Sequence, residues 1–223
     1  MTTPSSILLV QASEPDRLRE LRRYNMLDTQ PETSFDLIVK LAATVLHVPI
    51  AWIGLVDETR EWRKSAYGIN AGQISRDNSF CSYVITRADP FVLPDANLDA
   101  RFAENCQVTG EPRIRFFAGA PLRTPRGFVL GALCIADRAP RELNEEDSAI
   151  LSGLAKLVID EFELRLSFVE IANDSEQLRL ARETAEQAVA RFEAAQYDLI
   201  CERVARQLSG FAEISHFAGR TPP

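Results

Sequence analysis

Four cysteines, at positions 81, 106, 134 and 201, and two histidines, at 47 and 216, are the side chains best suited to nucleophilic, redox or metal chemistry. Their spacing argues against most of it. No CxxC pair occurs and few histidines accompany the thiols, so neither a zinc centre nor a disulfide framework is supported. Taken singly, each cysteine reads as a reduced, buried small hydrophobe. His47 closes a helical pattern, where it supports the helix dipole or caps carbonyls. The sequence contains no recognisable triad, phosphate loop or metal-ligand cluster, so no catalytic residue, metal ligand or cofactor is assigned and the chain is expected not to be an enzyme. Binding is the chemistry that remains. Trp52 and Trp62 lie on strand-like runs and are candidate pocket residues, although an aromatic on a strand is more often core. Arg113, Arg115 and Arg123 would attract an anion, against the commoner solvated arginine near a turn. Asp95 and Asp137 end strands, where capping the next turn already explains them.

These residues need a scaffold, and residues 113–137 supply its clearest part. Two apolar runs, 114–122 and 129–137, flank the polar turn Arg123-Thr124-Pro125-Arg126-Gly127 and read as an antiparallel hairpin. Gly119 and Gly131 inside the runs allow a ligand or a neighbouring backbone to come close to the sheet. Phe116 and Phe117 are adjacent on a strand and must point to opposite faces, one towards helices and one towards a cavity. Upstream, residues 14–27 and 32–47 carry helical spacing, separated by Asp28-Thr29-Gln30-Pro31. Residues 49–57 and 61–67 form a second hairpin, 68–78 a polar loop, 79–85 a short helix, and 90–95 a short strand before an irregular stretch. Helices, then a mixed antiparallel sheet, then a closing helix define an α+β class. The expected cavity lies between the sheet and the segment 79–85.

The chain has 223 residues, enough for one substantial core and an extension, with 46% hydrophobic and 26% charged residues. No segment approaches the ~20 apolar residues of a membrane span, and the N-terminus lacks the features of a signal peptide. The expected location is the cytoplasm, with no membrane contact. A net charge of −7 argues against nucleic acid as the main partner. From residue 144 the pattern changes. Ile150, Leu157, Leu164, Ile171, Leu178, Ala185, Phe192 and Leu199 recur every seven residues, with neither Pro nor Gly between Gly153 and Leu199, which predicts a long helix with a coiled-coil seam. The second seam position is filled well at Ala181, Ala188 and Ala195 and poorly at Asp160, Ser167 and Asp174. Up to about Leu164 the broader apolar stripe predicts packing on the chain's own sheet. Beyond it the dimer seam Leu164, Ile171, Leu178, Ala185, Phe192 and Leu199 predicts a parallel homodimer.

The segments Tyr24-Asn25-Met26-Leu27-Asp28-Thr29-Gln30-Pro31-Glu32, Phe35-Asp36, Trp62-Arg63-Lys64-Ser65, Ser79-Phe80-Cys81, Asp95, Arg101-Phe102 and Ile114-Arg115-Phe116-Phe117-Ala118-Gly119-Ala120-Pro121-Leu122 together resemble a GAF domain. The resemblance is to those at the N-terminal end of bacterial sensor histidine kinases and diguanylate cyclases. It implies a GAF-like antiparallel sheet of five or six strands flanked by helices, followed here by a long coiled-coil helix, with a small-molecule cavity on the face away from the helices. The implied organisation is a flexible start at 1–13, a sensory domain at 14–165, a signalling helix at 166–208 and a tail at 209–223. The ligand-binding set expected for that cavity is Trp52, Trp62, Ser79, Phe80, Cys81, Asp95 and Phe117. The implied role is a sensory module that binds a small molecule or partner and relays its state through a dimeric helix to a histidine kinase, response regulator or cyclase.

Within that resemblance two thiol chemistries are alternatives. One branch of GAF proteins reduces free methionine sulfoxide, and Cys81 and Cys106 are similar in position to two of its cysteines, a nucleophile and a resolving thiol. The carboxylates that branch places on its last strand are replaced by Cys134 and Ala136. Another branch attaches a bilin to a cysteine followed by histidine, but Ser82 and Gln107 follow Cys81 and Cys106. The segment 181–188 is similar to the linker helix of histidine kinases, and Ser215-His216 to their phosphoacceptor motif, with Phe217 where that motif has an acid. A phosphoacceptor histidine uses that acid as its base, so His216 is expected to be idle.

Overall fold

The computed structural model describes the backbone of residues 13–218 and the side chains of residues 13–187. The chain divides into two units at the Leu166/Ser167 boundary. The first begins with α1 (Glu14–Arg23), which Ser13 caps by accepting a hydrogen bond from the Asp16 amide, and α2 (Thr33–Val45). Strands β1 (Ile50–Val56), β2 (Arg60–Tyr67) and β3 (Gln73–Ser75) follow, then a 3₁₀ turn at Arg76–Asn78 and the short α3 (Cys81–Val84). After β4 (Phe91–Leu93) and α4 (Cys106–Thr109) come β5 (Phe116–Arg123), β6 (Val129–Asp137) and α5 (Glu145–Ala218). Every strand pair is antiparallel, in the order β3-β2-β1-β6-β5-β4, so the class is α+β as expected.

Both faces of the sheet are covered. On one, α1, α2 and the first turns of α5 bury Leu21, Phe35, Val39, Leu154, Val158 and Phe162 against Ile53, Leu55, Leu133 and Ile135. Phe162 meets Phe35 edge-on at 5.4 Å and Tyr24 at 6.0 Å between ring centroids. On the other face, α3, β4 and α4 with their loops place Phe80, Phe102, Val84 and Val108 against Trp52, Phe117, Cys134 and Ala136. Phe116 and Phe117 part to opposite faces, as strand alternation requires. Helix α5 starts where Asn144 Oδ1 accepts the Asp147 amide, with Glu145, Glu146 and Asp147 complementing the dipole in the first turn.

Two short elements, β3 and α4, arise in stretches that the sequence pattern marks as polar loop and irregular chain. Neither has enough residues to show a period, and both exist through tertiary partners: β3 through its ladder to β2, α4 through the Asn105 cap and Gln107. His47 closes α2 through its backbone, at φ 52° with its amide on the Thr44 carbonyl. The helix of α5 runs past residue 208 to Ala218, and Gly210 does not end it; one glycine costs a helix interior only about 1 kcal/mol. The side chains of Phe192, Leu199, Cys201 and His216, residues 1–12 and residues 219–223 lie outside the described residues.

The backbones of β1 and β6 come close at Gly131, where an added Cβ would lie 1.9 Å from the Gly54 carbonyl oxygen. Gly131→Ala therefore cannot be absorbed by a side-chain rotation. It is expected to destabilise the folded sheet by at least about 2 kcal/mol, in the range of overpacked cores, read as a lowered urea midpoint of the first transition. An unchanged midpoint would mean that the two central strands do not approach so closely.

Candidate functional site

The face of the sheet away from α1 and α2 carries a closed polar cluster centred on Glu61. Its carboxyl group is fully buried. It accepts from Trp52 Nε1 at 2.8 Å, from Arg63 Nε at 3.3 Å and from the Ser79 hydroxyl. Arg63 passes the network on, donating Nη2 to Gln107 Oε1 at 2.8 Å and Nη1 to the Asn70 carbonyl, with its guanidinium 5.3 Å from the Trp52 ring centre. Gln107 in turn donates to the Asn78 carbonyl at 2.9 Å. One buried carboxyl thereby joins β1, β2, the turn before α3, and α4. Gly54 makes room for it: a Cβ there would lie 2.7 Å from Cys81 Sγ and 2.9 Å from Glu61 Oε1.

A local irregularity in β2 decides which side chains reach this face. Ile53 pairs with Ser65 but Gly54 pairs with Arg63, so Lys64 is the extra residue of a β-bulge. Glu61 and Arg63 point to the cluster, while Trp62 and Ser65 lie with the helices. Ser65 donates to Asp36 at 2.6 Å, and Lys64 reaches Thr29, the Gln30 carbonyl and Glu32. The Trp62 ring packs against the helical core.

Of the residues expected to line a cavity, Trp52, Ser79, Phe80, Cys81 and Phe117 come together; Trp62 and Asp95 do not. Trp62 is corrected to the opposite face, because its neighbour Glu61 takes the inward position. Asp95 is half-exposed and accepts the Asn97 amide at 3.0 Å, capping a turn. The space between the sheet and α3 is corrected as well. It is filled by side chains: Phe80 stacks on Phe117 at 4.8 Å and on Phe102 at 4.9 Å, and Trp52 lies 5.8 Å from Phe117. Small residues on β6 mark room above the sheet, but the aromatic rings of the 79–102 segment occupy it.

The thiols are also arranged differently from the Cys81 and Cys106 pair that the reductase alternative would use. Cys81 Sγ lies 3.2 Å from Cys134 Sγ with both residues buried, whereas Cys106 is exposed at the start of α4. Alternation along β6 puts Cys134 on the same face as Ala132 and Ala136. Burial pushes both thiols up, Cys81 well above the ordinary range, with Cys134 and Glu61 adding to the effect on Cys81. This is opposite to the shift that activates a thiolate nucleophile. Glu61, Arg63, Gln107 and Cys134 are absent from the expected set. For Glu61 the one available signal is its place in an alternating strand next to Trp62.

The GAF domain family model matches residues 30–159. A cyclic di-GMP phosphodiesterase of Pseudomonas aeruginosa is 41% identical over 147 residues, which is 66% of this chain and 25% of that protein. The chain thus spans about a quarter of the length of this curated relative. Among solved structures, the GAF domain of a phosphoenolpyruvate-protein phosphotransferase from Acinetobacter superposes with a TM-score of 0.50 at 22% identity, covering 72% of this chain and 97% of that one. The corresponding domain from Coxiella burnetii also gives 0.50, at 18% identity, covering 73% and 99%. These two likenesses concern the fold.

The cluster predicts a sharp division among thiols. Brief iodoacetamide treatment of the native chain, followed by peptide mapping, is expected to modify Cys106 and to leave Cys81 and Cys134 unmodified until denaturant is added. Modification of Cys81 at the rate of Cys106 would show that this face opens readily.

Proposed function

The chain belongs to the GAF domain family, and from that premise we propose that it is the sensory part of a cytoplasmic bacterial signalling protein. In this reading it responds to a small molecule or protein partner and passes its state along α5 within a parallel homodimer. Helix α5 carries the argument. Its first turns are buried on the sheet, on the face opposite the Glu61 cluster, so β1 and β6 are the single layer between the two. Farther along the same helix, Leu164, Ile171 and Leu178 are 52%, 62% and 71% exposed at seven-residue spacing. An apolar stripe of that regularity fits a second copy of the helix better than it fits water. On α2, Leu37, Leu41 and Val45 form a further exposed stripe at i, i+4 and i+8, which suits the same pairing.

The likeness to a cyclic di-GMP phosphodiesterase supports an output in cyclic-dinucleotide signalling, supplied by a domain or partner beyond the matched segment. A ligand shifts such a helix only if it binds two arrangements with different affinity. The weakly filled seam positions Asp160, Ser167 and Asp174 keep the two arrangements close in energy. No described helix is long and apolar enough to cross a membrane, which is compatible with the cytoplasmic placement.

The pairing is tested at Ile171 and Leu178. Ile171→Glu with Leu178→Glu places like charges across the seam and is expected to convert a dimer to a monomer in sedimentation equilibrium, with the near-UV circular dichroism of the sheet domain retained. A wild-type chain that sediments as a monomer at micromolar concentration, or a dimer indifferent to both changes, would sink the relay.

A further inference from the structure

A second feature of the sheet domain is open to solvent and borders the closed Glu61 cluster, whose Ser79 hydroxyl accepts the amide of the cleft-lining Ser82. The start of α1, the chain leaving α3 and the β5–β6 turn enclose a cleft of about 600 Å³. Four arginines line it: Arg17, Arg76, Arg87 and Arg123. Among the described residues that line it the only carboxylate is Glu14, bound by Arg17 through Nε and Nη2 at 2.8 Å each and by Arg76 Nη1 at 2.6 Å. The Arg17 hydrogen bonds hold Glu14 down at about 2, so its negative charge is present at neutral pH, and a net charge of about three positive remains in the cleft.

The arginines are not equally satisfied. Among the described residues Arg123 donates only to carbonyls, of Gly127 at 3.2 Å and Arg87 at 3.1 Å. Arg87 lies over the Phe91 ring, 4.7 Å from its centre, and no carboxylate pairs with it among the described residues. Arg17 is held in place: its side chain is 7% exposed, with Nε and Nη2 on Glu14, and Nη1 is buried out of reach of solvent with no hydrogen-bond partner among the described residues. Residues 1–12, which precede α1 in sequence, contain no Asp or Glu.

We propose that this cleft is a binding site for a phosphate-bearing small molecule of about mononucleotide size. A guanidinium presents a planar fork of donors that matches phosphate oxygens, and several together favour a multiply charged anion over a single carboxylate. Ile85, Phe128 and Val129 supply an apolar wall for the organic part. A volume of about 600 Å³ lies within the range of small-ligand sites and exceeds what inorganic phosphate fills. The site does not depend on dimerisation or on α5, so its failure and that of the relay are separable.

The test uses the full chain, with 5′-AMP, adenosine and inorganic pyrophosphate as probes in isothermal titration calorimetry. AMP or pyrophosphate is expected to bind, adenosine about tenfold or more weakly than AMP, with affinity falling as salt rises. Arg87→Gln with Arg123→Gln alters two outer side chains and leaves Arg17 with Glu14. It is expected to weaken phosphate binding by about tenfold or more, with unchanged circular dichroism and melting temperature. Absence of binding by both phosphate probes at millimolar concentration, equal affinity for AMP and adenosine, or binding indifferent to the double substitution would each overturn the proposal.

Discussion

A carboxyl group with no solvent exposure has to be satisfied by the protein, and Glu61 imposes that constraint on the whole outer face of the sheet. An unpaired buried charge or acceptor costs several kcal/mol, so the chain must bring donors to it. They come from Trp52 on β1, Arg63 on β2 and Ser79 ahead of α3. The requirement then spreads outward, because Arg63 is itself buried and needs acceptors, which Gln107 and the Asn70 carbonyl provide. Long connections with little regular structure are thereby docked by polar bonds as well as by apolar area. The aromatic stack of Phe80, Phe102 and Phe117 closes over the result.

The central strands owe their composition to having no solvent-facing side. β6 alternates Leu133 and Ile135 towards the helices with Ala132, Cys134 and Ala136 towards the cluster. Large residues on one face and small ones on the other set the volume that the two layers must fill. On the helical side α1, α2 and α5 meet large strand residues. On the other, the small residues leave space that Trp52 and the incoming phenylalanines occupy. Room above a sheet is therefore a statement about the sheet alone, and whether it becomes a cavity depends on what the connecting segments carry.

This explains how far the sequence could be read. The hairpin of β5 and β6, the pairing of β1 with β2, and the start of α5 are legible because each rests on local information: apolar runs, turn residues, and Asn144 before an acidic first turn. Trp52, Ser79, Phe80, Cys81 and Phe117 were legible as a group through the family resemblance. The sequence pattern does not place Trp62, because the bulge at Lys64 and the inward turn of Glu61 depend on tertiary partners. Glu61 and Arg63 look like solvent-facing residues of an ordinary strand until their acceptors and donors are in place. By sequence Cys134 is a small hydrophobe, and only the fold puts it beside Cys81, 53 positions away.

Net charge shows the same distinction between local and global information. The chain as a whole is acidic, at −7, which bears on long-range steering and on bulk partners such as nucleic acid. Inside a cleft the relevant range is set by screening, and at physiological salt it is only ~8 Å. Within that distance the lining groups dominate, and among the described residues of the cleft these are four guanidiniums against one carboxylate. Arg17, Arg76, Arg87 and Arg123 are scattered over more than a hundred positions of sequence, so no run or motif marks them. The fold converts dispersed arginines on an acidic protein into a concentrated basic concavity. It does so where the β5–β6 turn meets the beginning of α1.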